Sequence, residues 1–548
     1  MSIRGCVFIA GVCWLFSAAS IDCLARDKAT SATSPPRLIP GLGNAHHPVS
    51  TTSRKAQEFF DQGLNLVYGF NHDEARRSFE HAAKLDPKLA MAWWGVALAL
   101  GPNYNCPIDA AREQAAHRAV QQALALQENA SEAEGAYINA LAFRYSGDPK
   151  ADLRQLNVLY RDAMAKLVAR YPDDLTAATL YAESMINLNP WKLWSKDGRP
   201  NEGTEEIVAF LESVLKRDPN HLGANHYYIH AIEGSPHSER ALANAARLEK
   251  LAPAAGYLLH MPSHIYARVG DHALAAQCNE RAAAADKKFL AQTRQQGVYP
   301  LKYYSHTLHS LAYAGCMRGN FTEAKKAAAR LVSHVTPAIK DMPALEGFLP
   351  TPIIVLLAFE RWEDILKLSA PAASLLVTNA TWHFARGMAL ANLGKPEAAE
   401  KERAAWQALV MKIPPDTMYD EFNKTGAVFK IHETLLAGAI ARSRREDKKA
   451  IDFLTQAIAA EDALSYSQPP AWYPPVRPML GRVFLATRQW GDAEKVFRAD
   501  LEKNPRNGRA LSGLRDCLNA QERKYEAHQI DQQFHAAWKL PVARAAAR

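Results

Sequence analysis

The sequence predicts an all-α solenoid of about ten helical hairpins, and three observations carry that reading. Alanine, the best helix former, recurs in stretches such as Ala282–Ala285 and Ala327–Ala329, while runs alternating at the strand period are scarce. Turn signals punctuate the chain roughly every 15–20 residues, the spacing of helix pairs rather than of long single helices. Small residues and prolines then recur at a fixed period of 34. Of the 548 residues, 48% are hydrophobic, enough to build a core and to exclude wholesale disorder. The net charge of +8 is mild over this length, and no basic cluster interleaved with aromatics points to nucleic acid.

Taken in chain order, residues 1–25 read as a signal peptide. A positive MSIR start precedes the apolar stretch GCVFIAGVCWLFSAAS, which is short for a full membrane span. Cys23-Leu24-Ala25 offers a small residue at the cleavage position, and Asp22 before Cys23 argues against a lipoprotein. Removal would leave an exported protein, periplasmic or secreted, with no stable membrane insertion. Cys106, Cys278, Cys316 and Cys517 remain after cleavage, too few for a disulfide framework; a Cys278–Cys316 pair is one option. Residues 26–52, rich in Ser, Thr, Pro and Gly, read as an extended linker able to lie against the fold.

The solenoid is read over residues 53–540, with 541–548 as a tail. Counting Ala56 as repeat position 1 places Gly63 at position 8, Ala75 at 20, Phe79 at 24, Ala82 at 27 and Pro87 at 32. Counting from Pro474 places Gly481, Ala493, Phe497 and Pro505 at 8, 20, 24 and 32. Units opening at Ala380 and Ile431 repeat the small residues at 8 and 20 (Gly387, Ala399; Gly438, Ala450). Small residues let the two helices of a hairpin touch, the aromatic fills the gap, and proline ends the second helix. This pattern resembles the tetratricopeptide repeat (TPR), over most of residues 56–520. The resemblance implies a right-handed superhelix whose first helices line a concave groove. The segments FFDQGLNLVYGFNHDEARRSF, ALALGPN, HMPSHIYARVGD and EDALSYSQPPAWYPPVRPMLG are also similar to a group of exported bacterial TPR proteins, a resemblance that implies fold and no activity.

Two stretches break the period, 187–204 (NLNPWKLWSKDGRPNEGT) and 461–478 (EDALSYSQPPAWYPPVRP). Each reads either as a loop packing its aromatics on the solenoid or as a flap over the groove.

Histidine is the chemical signal. Nine of the 19 His fall in residues 221–309, where a uniform spread would put about three. The His-rich units span 222–338. Counting from Leu222, His226 and His230 occupy positions 5 and 9; counting from Gly256, His260 and His264 occupy the same two positions. A third unit from Ser305, delayed by an insertion at 290–304, puts His306 and His309 at positions 2 and 5. At about 100° per residue, positions 2, 5, 9, 12 and 13 share one side of the helix. In TPR arrays, which this resembles, that side faces the groove. Glu233 completes a stripe with His226 and His230, and Glu183 falls at position 9 of the preceding unit. By contrast, His383 at position 4 points inside its hairpin, and His72 sits at a hairpin turn.

Imidazole with carboxylate suits a transition metal such as Zn, Cu or Fe. A lone HxxxH pair on a helix is ordinarily packing, but packing gives no reason for recurrence in three consecutive units. The sequence therefore predicts a groove that binds a ligand, with a metal held by His226, His230, His260 and His264, and His309 and His306 next nearest. No organic cofactor motif is present: GxGxxG, the P-loop and GxSxG are missing, and HETLL at His432 lacks the second His of HExxH. Three functions stay open: a metal-carrying binding module for a peptide or small molecule, a hydrolytic or oxidative metalloenzyme with Glu183 or Glu233 as base, and a metal-free peptide scaffold. A proton-relay or acidic-ligand patch of His competes with the metal.

Overall fold

Side-chain caps set many of the helix starts. Ser53, Asp109, Asp152, Asp174, Asp271, Asn320 and Asn507 each accept a hydrogen bond from a backbone N–H of the first turn, and Ser131 with Glu134 closes a capping box. These starts divide the computed structural model, which describes residues 35–538, into helices that pair in sequence order. The pairs run from Arg54–Tyr68 with His72–Leu85 to Gly508–Ala520 with Lys524–Ala537. Counting Gly256–His260 and Pro262–Arg268 as one broken helix gives twelve hairpins among the described residues, where the sequence predicts about ten. One reason for the difference is a hairpin of short helices, Thr351–Ala358 and Trp362–Leu366, which carries none of the periodic small residues. The predicted signal peptide, the first part of the linker (26–34) and the tail lie outside the described residues. Among the described residues no helix is long and apolar enough to cross a membrane.

The repeat register has a direct packing cause. A Cβ on Gly63 would lie 2.6 Å from the Phe79 ring and one on Gly95 2.4 Å, so the ring is clamped between its own hairpin and the next. Phe497 is clamped in the same way by Gly481 and Gly513, at 2.4 and 2.2 Å. Both phenylalanines are fully buried, and each seals the joint between successive units.

The array also closes on itself. The Leu222–Glu233 helix packs against the first helix, Arg54–Tyr68, more than 150 residues earlier. Gly223 makes this contact possible: a Cβ there would fall 2.5 Å from the Tyr68 ring. Residues 35–52 run along this junction. Ala254 N–H donates to Gly41 O at 2.8 Å, and Asn65 bonds both the N–H and the carbonyl of Ala45. His46 Nδ1 meets Asp61 at 2.7 Å, and the His47 ring packs edge-on to Tyr137. Cys278 and Cys316 are buried free thiols, as is Cys517, so the 278–316 pairing does not form.

Candidate metal centre

Three successive inner helices present the histidines: Leu222–Glu233, the broken helix Gly256–Arg268, and Ser305–Met317. Pro262 sits in the break, leaving His260 at the end of one piece and His264 one turn on in the next. The third helix continues a π-helical turn, Tyr299–Tyr304, formed from the predicted insertion. That turn carries His306 into reach: its Nε2 lies 3.4 Å from His264 Nε2, and His264 Nε2 lies 2.8 Å from His260 Nε2. His260, His264 and His306 are thus a set whose ring nitrogens converge on one point, able to hold one ion. For comparison, three nitrogens around a tetrahedral Zn, each 2.0–2.1 Å from it, would lie roughly 3.3 Å apart.

The opposite ring nitrogens are held. His260 Nδ1 meets Asn279 Oδ1 at 2.6 Å, and the Asn279 amide is oriented because its Nδ2 donates to Ala275 O. His264 Nδ1 meets Glu233 Oε2 at 2.6 Å. Facing an acceptor, each Nδ1 carries a proton; on His260, which burial keeps neutral, that leaves Nε2 as a lone pair. The His260 lone pair therefore faces His264 Nε2 at 2.8 Å, a contact that calls for a cation, either a metal ion or a proton, between the two nitrogens. Burial holds His260 well below the ordinary imidazole range, reinforced by the neighbouring His264. Burial likewise keeps His306 low, with His260 and His264 adding to it. Glu233 is buried, which alone would raise its carboxyl; His264 and His230 overcome this and hold it well below the usual carboxylate range. Its Oε1 accepts from His230 Nδ1 at 2.7 Å, and its Oε2 from Tyr466 OH at 3.1 Å as well as from His264.

The structure groups the predicted residues differently from the sequence reading. His260, His264 and His306 converge, and Glu233 supports them, whereas His226 and His230 stand beside the set rather than in it. Their rings are fixed elsewhere: His226 Nδ1 bonds Tyr68 O at 2.6 Å, and His230 packs on Tyr104 and Phe70, with ring centroids 4.5 and 5.7 Å away. The Nε2 atoms of both are buried without a partner. His309 turns to Phe348 and Tyr473 instead. Glu183 is not brought to the histidines; it bonds Asn187 and faces the buried Arg144 guanidinium at 3.9 Å. Position counting assumes unbroken first helices, which fails at Pro262 and at the π turn; on the regular helices that carry His226, His230 and Glu183 it gives the face of the helix but not the partner met there. His383 does point inside its hairpin, bonding Glu402 at 2.7 Å, and His72 opens the second helix as a buried residue facing Asn103.

The groove side is filled rather than open. His226, His230, Glu233, His260 and His264 are each at most 1% exposed. The two predicted insertions supply the cover. Trp191, from the first, stacks on Tyr104 and touches Phe422, and Tyr466, from the second, reaches Glu233. The two insertions meet where Lys196 donates to Ala463 O. Functional residues that the sequence did not flag are Asn279, on the second helix of its hairpin, and Tyr466; neither lies at a groove position. A cavity of about 130 Å³ adjoins the set, with His306 and His309 in its wall.

No family model matches the chain, and no curated protein matches its sequence. Solved structures of low similarity include a human IFIT1 dimer with m7Gppp-AAAA, at 12% identity and a TM-score of 0.33 over 89% of this chain and 91% of that one. The Cut9–Hcn1 hetero-tetramer of APC/C gives 13%, 0.32, 88% and 76%, and yeast Tom70 gives 10%, 0.30, 88% and 93%. The hairpin register and the glycine–phenylalanine joints define the class: a TPR-type helical-repeat solenoid with a buried histidine cluster on its inner face.

Proposed function

We propose that the protein is a metal-binding solenoid in which His260, His264 and His306 hold one transition-metal ion. The observation that carries this reading is the approach of His260 Nε2 to His264 Nε2, 2.8 Å apart, with both Nδ1 atoms committed to Asn279 and Glu233. Two neutral rings in that arrangement repel each other unless a cation lies between the nitrogens. Neutral imidazoles, oriented through Nδ1 by a carboxylate and a carboxamide, are what Zn, Cu or Fe sites use. Three ligands leave a fourth position for water or a small molecule, as in catalytic rather than structural sites. The cover formed by 187–204 and 461–478 favours a small ligand over an extended peptide. Both Glu233 oxygens are occupied, so its role in this reading is to orient the rings, not to act as a base.

Elemental analysis of the purified full chain tests the proposal. One ion per chain is expected, lost on His260→Ala/His264→Ala and retained on His383→Ala. Metal in all three proteins, or in none, removes the reading. A second reading rests on the His264–Glu233 contact: a proton in place of the metal, with His264 as imidazolium donating to His260. It predicts no bound metal and, by NMR, a proton shared between the two Nε2 atoms. Export remains part of the proposal, and N-terminal sequencing of the mature protein should start after about residue 25.

A further inference from the structure

The cavity beside the histidine set has a size and a lining that select its occupant. Its volume of about 130 Å³ is close to the roughly 150 Å³ of a cavity that admits benzene, so it accommodates one six-membered ring. The wall is largely aromatic: Trp191, Tyr257, Tyr303, Phe348, Phe422 and Tyr473. Two residues tie it to the centre. His306 belongs both to the metal-binding set and to the wall, and Tyr257, also in the wall, stacks on His260 at 5.5 Å.

The charged groups in the wall disfavour an anion. Lys302 is taken up by Glu421 at 2.8 Å and by Asn105 O. Asp420 accepts from the N–H groups of Phe422 and Asn423 and from Ser467. One lysine against two carboxylates leaves no side-chain cation to pair with a ligand's carboxylate, and puts net negative charge beside any that reached the metal.

We propose that the cavity takes a single-ring phenol, whose ring stacks among these aromatics and whose oxygen occupies the open position of the metal. This rests on the metal reading above. Aromatic walls favour a flat π-system over a saturated ring of equal size, and the metal supplies the site for the oxygen.

The test loads the full chain with Co(II), whose visible bands report its ligands, and adds phenol, cyclohexanol or benzoate. Phenol is expected to shift the bands saturably and to bind at least tenfold tighter than the other two. Ala344→Trp, placed at an exposed residue of the wall, should weaken phenol tenfold or more while leaving Co(II) stoichiometry unchanged. If Co(II) binds and phenol leaves its bands unmoved, if cyclohexanol or benzoate binds equally, or if Ala344→Trp has no effect, the phenol proposal falls and the metal reading stands. If Co(II) does not bind, both fall.

Discussion

In the first and eleventh hairpins, the space between helices holds one phenylalanine ring gripped by two glycines. In the fifth, sixth and seventh, the inner helices carry six histidines and a glutamate, with His226 and His230 each keeping an unpartnered ring nitrogen. The helical frame is common to both regions, but the end joints are apolar and complete, while the centre buries polar groups that stability alone does not ask for. Each unmade hydrogen bond there costs about 1–3 kcal/mol. The comparison separates joints that packing explains from a polar centre that packing does not explain.

The largest effect should come from the centre. His260→Ala/His264→Ala is expected to take bound metal from one equivalent to none while circular dichroism stays helical; metal retained would move the site elsewhere. Because these rings are buried, a drop in melting temperature should accompany the loss, unlike the near-neutral change an open groove would give.

Glu233→Gln keeps an oxygen for one histidine but not for two, and should weaken metal binding about 10–100-fold, measured by chelator competition. Unchanged affinity would show that Glu233 does not orient the ligands.

At the end joints, Gly481→Leu would push carbons into the Phe497 ring and should cost about 1–3 kcal/mol in denaturant unfolding, with no change in metal content. Gly491, with nothing near its missing Cβ, is the contrast: Gly491→Ala should stabilise its helix by roughly 0.5–1 kcal/mol. Equal responses at 481 and 491 would break the packing account of the register.

The smallest effect is a pH dependence. Burial raises Asp286 to about 7, against a partial counter-effect from the Tyr299 hydroxyl that donates to it. A carboxyl whose folded value is raised favours folding at low pH, and that contribution is lost as pH rises through about 4 to 7. Asp286→Asn should therefore gain in melting temperature relative to the natural chain between pH 5 and pH 8. A constant difference would refute the assignment.

Much of this was legible in the residues. Gly63, Phe79, Gly481 and Phe497 announced the joints because helix contact needs small residues at fixed offsets, and the histidine recurrence announced a centre. The two insertions were visible as breaks in the period, but not that Trp191 and Tyr466 would turn inward to cover it. Asn279 gave no signal, since a single buried asparagine on a second helix reads like any other polar residue.

The sequence by itself determined the repeat, the helical hairpins and the neighbourhood of the chemistry, because these depend on spacing along one chain segment. Which nitrogens meet was decided only by the tertiary structure. The break at Pro262 and the π turn before Ser305 lie in the two helices where His264 and His306 meet, while His226 and Glu183, on unbroken helices, are taken by Tyr68 and by Asn187 and Arg144.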